Sequence, residues 1–248
     1  MNLSIHHTLQ RLLLPALVCL TLVPVAAQAA SLAGSGRSAT ESRSLADFQA
    51  LALNGSMDMV VRQGAVQSVQ VEADDNLLPL LETVVESTGQ GATLLVRWKK
   101  GQSLHTRSKV LVTVVLPRLS ALTSSGSGDI RVEAFNTPAL KLSLSGSGDA
   151  RLQGLSTEEL GISIAGSSDV VANGSATRLK ISIAGSGDVR MADLKSEEVT
   201  IAIAGSGDAA VNANKTLEVS IAGSGDVIYT GNAAVKSRVA GSGSVNKR

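Results

Sequence analysis

Residues 179–191 read Leu-Lys-Ile-Ser-Ile-Ala-Gly-Ser-Gly-Asp-Val-Arg-Met and show the most regular alternation of side chains in the sequence. Apolar residues or glycines occupy every second position, from Leu179 through Gly185 to Met191, and mostly polar or small residues stand between them. An alternation of period two places one set of side chains on one face of an extended chain. The pattern therefore predicts a β-strand with one buried face, and its Ile and Val residues favour that structure.

The same pattern recurs along the second half of the chain. Each recurrence contains a Gly-Ser-Gly-Asp motif or a close variant, with Ser168 in place of the second glycine once and Ser244 in place of the last aspartate. The motifs begin at Gly126, Gly146, Gly166, Gly185, Gly205, Gly223 and Gly241. A period of 18 to 20 residues repeated this often indicates a solenoid. We predict an all-β fold, a parallel β-helix or solenoid of about seven coils, preceded by a β-rich N-terminal half.

The glycine pair of each motif falls on the inward face of the predicted strands. A missing side chain at that position allows a sharp bend or a close approach to the neighbouring coil. We interpret the motif as a corner between two strands of one coil. An alternative is a row of antiparallel hairpins with Gly-Ser-Gly-Asp as the turn. The constant period favours the solenoid, because like residues then stack in columns and each buried aliphatic side chain contributes about 1.5–3 kcal/mol.

The chain divides into four predicted parts. Arg11 precedes an apolar stretch, and Ala27-Gln28-Ala29 supplies small residues at the positions that a signal peptidase inspects. The residues that follow are rich in Ser, Ala, Gly and Arg, which is typical of a flexible segment. The predicted parts are a signal peptide at 1–29, a flexible lead-in at 30–43, a β-rich half at 44–116 that caps the solenoid, and the repeat solenoid at 117–248.

The composition argues against several functional classes. The 22 Lys and Arg residues are balanced by 21 Asp and Glu residues, so no basic surface for nucleic acid is expected. Aromatic residues make up only 2% of the chain, which argues against stacking on sugars or bases. Catalysis has little support, because His105 would be the only His left after signal cleavage. The sequence contains no nucleophile elbow, phosphate-binding loop or His/Cys metal motif.

The outward positions of the predicted corners form two columns, which are the candidate binding face. The columns consist of Ser127, Ser147, Ser167, Ser186, Ser206 and Ser224, and of Asp129, Asp149, Asp169, Asp188, Asp208 and Asp226. Carboxylates stacked about 4.8 Å apart repel each other by about 1 kcal/mol in water, so something should compensate. One explanation for the Asp column is that each Asp accepts hydrogen bonds from backbone N–H groups at the corner. The alternatives are a calcium ion shared between coils and direct contact of the Asp residues with a partner or glycan. We assign no metal or cofactor.

The chain resembles a bacterial family of exported proteins described as "putative auto-transporter adhesin, head GIN domain". The resemblance rests on Phe48, Gly55, Val60 and Gln63-Gly64, on the run Val-Gln-Val-Glu-Ala-Asp-Asp-Asn-Leu-Leu at 69–78, and on the Ser-Gly-Ser-Gly-Asp ladder from 125 onward. It covers about residues 44–245. The resemblance implies a right-handed single-chain β-helix in the cell envelope, and it implies no established activity.

These observations together predict an exported, non-enzymatic cell-envelope solenoid that acts as an adhesion-like, binding or structural module. The expected location is the periplasm or the cell surface. The expected partner is an unidentified envelope protein or glycan, and a homo-oligomer formed through the flat face is a further prediction. The alternatives are a polysaccharide-acting β-helix enzyme, since β-helices also host lyases and hydrolases, and a calcium-binding repeat protein.

Overall fold

The computed structural model describes residues 31–101 and 103–248, so the predicted signal peptide at 1–29 lies outside the described residues. The described chain is almost entirely β-strand, with a single 3-10 turn at Leu78–Leu80. The strands are β1 (Ser31–Ala33), β2 (Ser38–Arg43), β3 (Ala50–Asn54), β4 (Asp58–Gln63), β5 (Ser68–Asp74), β6 (Leu81–Thr88), β7 (Gly91–Trp98), β8 (Ser103–His105), β9 (Leu111–Leu116), β10 (Ala121–Gly126), β11 (Ile130–Glu133), β12 (Asn136–Gly146), β13 (Ala150–Gly166), β14 (Val170–Gly185), β15 (Val189–Gly205), β16 (Ala209–Gly223), β17 (Val227–Thr230), β18 (Ala234–Gly241) and β19 (Val245–Lys247).

The second half of the chain is a parallel β-solenoid, which confirms the predicted fold over the hairpin alternative. Strands β12 to β16 each pair in parallel with the strand one coil later, and residues of the same repeat position lie opposite each other. One such column runs through Leu142, Ile162, Ile181 and Ile201. All four side chains are at most 2% exposed. The stacking of like residues therefore builds the core, as the period-two alternation predicts.

The solenoid has about six turns rather than the seven coils predicted from the motifs. Each motif is a corner, because β12 ends at Gly146 and β13 begins at Ala150, and the same break recurs at each later motif. The last motif, which begins at Gly241, is followed only by the short strand β19 (Val245–Lys247).

The N-terminal half continues the same stack of strands. Strand β3 pairs in parallel with both β10 and β7, and β4 pairs in parallel with both β11 and β9. Residues 50–63 therefore form a coil that lies between the first repeat and the later segment 91–116. The remaining pairings of this half are antiparallel: β6 pairs with β7, β5 pairs with β9, and β2 pairs with β5. All of these strands belong to one sheet that joins both halves of the chain.

The flexible lead-in expected at 30–43 is corrected by the structure. In its described part, β1 pairs in parallel with β8, and β2 pairs antiparallel with β5. The buried Asp74 holds this segment, because its Oδ1 accepts the Gly36 N–H at 2.8 Å while its Oδ2 accepts the Arg107 N–H at 2.9 Å. The composition of residues 30–43 predicts flexibility because the carboxylate that anchors them, that of Asp74, lies far along the sequence and is not part of the local pattern.

The C-terminal end of the solenoid leaves its last coil uncovered. In β18 the inward positions carry Val235 and Val239, which stack on Leu217 and Ile221 of the preceding coil. Val235 is 37% exposed and Val239 is 41% exposed, whereas the two residues beneath them are buried. Lys236 and Arg238 stand at the alternate, outward positions of the same strand. Charged side chains on such an edge oppose pairing with further strands.

Candidate functional site

Each corner brings the backbones of neighbouring coils into close contact. The first glycine of the motif has a φ of +138° at both Gly185 and Gly205. A Cβ added to Gly185 would overlap the carbonyl oxygen of Gly166 in the preceding coil. A Cβ added to the second glycine, Gly187, would likewise overlap the carbonyl oxygen of Ser168, although Ser168 itself occupies this position in one coil and is only 2% exposed. The corner therefore turns sharply, and it places the intervening Ser and the following Asp outward.

The Asp residues of successive corners form a continuous hydrogen-bonded ladder. Oδ1 of Asp188 accepts the backbone N–H of Asp208 at 3.0 Å, and Oδ1 of Asp208 accepts that of Asp226 at 2.7 Å. The same bond joins each earlier pair of corners. Each carboxylate thus serves the coil that follows it, which is the first of the explanations that the sequence left open. The ladder explains why each corner that is followed by another coil carries an Asp.

The last corner of the described chain carries Ser244 in place of the Asp. Both the backbone N–H and the Oγ of Ser244 donate to Oδ1 of Asp226 at 2.8 Å. Ser244 thereby completes the hydrogen bond from the preceding coil with two donors instead of one.

The ladder has an earlier member that the sequence analysis missed. Oδ1 of Asp58 accepts the Asp129 N–H at 2.9 Å, and the Oγ atoms of Ser56 and Ser127 lie 3.0 Å apart. Residues 54–58, Asn-Gly-Ser-Met-Asp, are therefore a variant corner in which Met57 replaces the second glycine. The Gly-Ser-x-Asp spacing was the signal that could have revealed the corner.

Cationic side chains neutralise part of the Asp column through the second carboxylate oxygen. Arg190 bridges Oδ2 of Asp169 at 2.9 Å and Oδ2 of Asp188 at 3.0 Å. The hydrogen bond and charge of Asp169 raise the pKa of the Arg190 guanidinium. Lys109 pairs with Asp58 at 2.8 Å in the same way, and this contact raises the pKa of the lysine. The equivalent positions near Asp208 and Asp226 carry Ala210 and Ile228, so the column is more acidic toward the C-terminal end.

The structure brings the predicted Ser and Asp residues together as two adjacent outward columns, and their role in binding stays a prediction. Calcium needs six to eight oxygen ligands, while one oxygen of each ladder carboxylate already accepts a backbone N–H. Among the described residues, no group of three or more His, Cys, Asp or Glu side chains is placed to hold a metal ion. Most of the Ser side chains remain exposed and available to a partner.

We expect the variants Asp208→Asn and Asp208→Ala to distinguish the stabilising effect of the ladder hydrogen bond from the effect of the negative charge in the Asp column. The Asn variant keeps an oxygen that can accept the Asp226 N–H and removes repulsion from the neighbouring carboxylates, so its unfolding free energy should stay within about 0.5 kcal/mol of wild type. The Ala variant loses the acceptor and should cost about 1 kcal/mol. Urea unfolding with calcium and with chelator measures both. Equal losses in the two variants, or a calcium-dependent midpoint, would contradict the ladder interpretation.

Fold and corner geometry together define a single-chain parallel β-solenoid with Gly-Ser-Gly-Asp corners. The family described as "putative auto-transporter adhesin, head GIN domain" matches residues 47–233, and the chain belongs to this family. The match includes the coil at 50–63 and most of the repeat corners. Among curated proteins, none matches the chain.

Solved structures show the same fold. A "putative adhesin" from Bacteroides fragilis is 21% identical with a TM-score of 0.83, and the match covers 88% of this chain and 100% of that one. A "putative lipid binding protein" from Parabacteroides distasonis is 25% identical with a TM-score of 0.71 and the same coverage of both chains. Within the described ranges, no helix has the length and apolar character needed to cross a bilayer.

Proposed function

We propose that this chain is an exported, non-enzymatic cell-envelope solenoid that works as a binding or adhesion module. The observation that carries the proposal is the pair of straight outward columns of Ser and Asp at the corners. A regular array of identical polar groups suits a repeating or extended ligand better than a single small substrate. The family description as an adhesin supports this class of function.

The predicted signal peptide at 1–29 supports export, and the proposed partner is an envelope protein or a glycan. The structure from P. distasonis named as a lipid-binding protein adds lipid as a ligand to test. In this chain the solenoid interior is filled by side chains such as Leu142, Ile162 and Ile181, all at most 2% exposed. A ligand of any class would therefore bind on the outer surface.

The proposal is tested by binding of the purified protein to a glycan array, to immobilised envelope proteins and to lipid vesicles. The variant Ser186→Tyr/Ser206→Tyr places bulky groups on the corner column of neighbouring coils. The matched control is Ser156→Tyr/Ser175→Tyr, since these two exposed serines also lie opposite each other on neighbouring coils, away from the corners. We expect at least tenfold weaker binding for the corner variant and unchanged binding for the control.

Three outcomes would overturn parts of this proposal. Failure of the wild-type protein to bind any glycan or envelope protein would remove the adhesion function. Binding to vesicles alone would replace it with a lipid-binding function. Release of shortened sugars from the glycan panel would favour the alternative of a polysaccharide-acting enzyme.

A further inference from the structure

One glycine of the solenoid has no structural reason to be a glycine. Gly161 lies within β13, with unbroken pairing to the strands on both sides. It is not among the glycines with positive φ, and a Cβ added there would meet no atom within 4 Å. Glycine weakens a strand interior, and when no bulge or turn requires it, it often marks a place where another molecule approaches the backbone closely.

Two lysines flank this gap. Lys141 lies opposite Gly161 on one side and Lys180 on the other, so their Cα atoms are two strand spacings apart, about 9.6 Å. Both lysines are exposed, and no ion pair among the described residues includes either one. The gap and its surroundings form a shallow depression of about 410 Å³ on the outer surface.

The other groups around the depression favour an anionic, hydroxyl-bearing ligand. Ser163 and Ser182 lie opposite each other two residues further along their strands, and both are exposed. Glu159 lies at the rim, but its Oε1 accepts the Nε–H of Arg178 at 2.9 Å, so its charge is already paired. Glu198 lies opposite Arg178 on the next coil, and its charge acts on that guanidinium. In the column of Lys180 itself, the next acidic residue is Glu218, two coils further on beyond Thr200.

We propose that the Gly161 gap binds a carboxylate or sulfate group of an extended acidic polysaccharide. The missing side chain lets the sugar chain reach the strand surface, and the ammonium groups of Lys141 and Lys180 pair with the anionic group. The Ser163 and Ser182 hydroxyls donate to neighbouring sugar oxygens. This site deepens the proposed binding function by naming the ligand chemistry, and it rests on that function.

The test uses Gly161→Thr, which fills the gap with a residue that strands prefer. Because a Cβ has free space there, the midpoint of thermal unfolding should rise by about 1–3 °C. Binding to an oligogalacturonate, which carries carboxylates, or to dextran sulfate should fall at least tenfold. The matched control is Ser175→Thr, which adds a methyl group at an exposed position away from the corners and should bind as wild type. Neutral dextran serves as the uncharged probe.

A second pair of variants tests the charges. Lys180→Gln should weaken binding to the anionic probe about fivefold to tenfold, whereas Lys195→Gln removes the same charge on another face and should leave binding unchanged. The probe that binds, carboxylated or sulfated, identifies the anionic group. Undiminished binding by Gly161→Thr would overturn the site while leaving the adhesion function standing. Equal binding to neutral dextran, or no binding to either anionic polymer, would overturn the acidic ligand, and the corner variants would then decide the proposed function separately.

Discussion

Replacing Gly185, the first glycine of its corner, with Ala is expected to destabilise the solenoid strongly. The residue has a φ of +138°, and the added Cβ would overlap the Gly166 carbonyl oxygen, which belongs to the backbone and cannot rotate away. Backbone strain and overpacking together should lower the free energy of unfolding by about 3–5 kcal/mol. Urea unfolding followed by far-UV circular dichroism measures this loss.

The matched control for this prediction is Gly187→Ser in the same corner. A Cβ added to Gly187 would overlap the backbone carbonyl oxygen of Ser168 as closely as one at Gly185 overlaps that of Gly166, but Gly187 does not have a positive φ. Ser168 shows that a serine can be accommodated at the equivalent position of another coil. We expect Gly187→Ser to cost about 1–2 kcal/mol, from overpacking alone. Equal losses in the two variants would show that the positive φ of the first glycine is not what makes it indispensable. A soluble but unfolded Gly185→Ala protein would agree with the prediction.

The second large effect is expected from Asp74→Ala. The buried carboxylate accepts the N–H groups of Gly36 and Arg107 and both the N–H and the Oγ–H of Ser108. Its removal leaves three backbone donors without their acceptor and releases the segment that contains β1 and β2. We expect the midpoint of thermal unfolding to fall by about 5–10 °C. Limited proteolysis should cut within 31–43 well before the solenoid is attacked.

Asp74 also gives a pH dependence of defined direction. Burial alone would raise the pKa of this carboxyl, but the hydrogen bonds from Arg107, Ser108 and Gly36 outweigh it and lower the pKa to about 2. An unfolded Asp titrates near 3.9, so the stabilisation is complete above about pH 4 and is lost as the pH falls toward 2. Wild-type stability should therefore fall more steeply over this range than that of Asp74→Asn. Parallel slopes in the two proteins would contradict the assignment.

Much of the solenoid could be predicted because its information is local. The alternation around Ile181 and Ile183 identifies an inward face, and the regular motif spacing places equivalent residues of neighbouring coils opposite each other. The alternation of side chains and the repeat period can both be recognised within consecutive residues. The same regularity suggested that each Asp accepts a backbone N–H, but only as one explanation among several. A column of carboxylates could also have held a cation.

The N-terminal half was less predictable because its pairings are not sequential. Asp58 bonds to Asp129, 71 residues later, and β3 lies between β7 and β10 rather than beside its neighbours in the chain. Met57 in place of glycine concealed the corner at 54–58. The anchoring of residues 31–43 by Asp74 was hidden for the same reason. The gap at Gly161 was also hidden, because a glycine within a repeat cannot be separated from a structural glycine until its surroundings are known.

The amino-acid sequence was sufficient to identify an all-β chain, a solenoid in its second half, and the positions of the repeat corners with their outward Ser and Asp columns. These features depend on side-chain alternation and on a repeat period, which are properties of consecutive residues. The folded structure was needed to show which strands cover the first coil, which oxygen of each ladder Asp accepts the backbone N–H, and which lysines lie beside Gly161. These features depend on contacts between residues far apart in the chain, and nothing in the local pattern specifies such contacts.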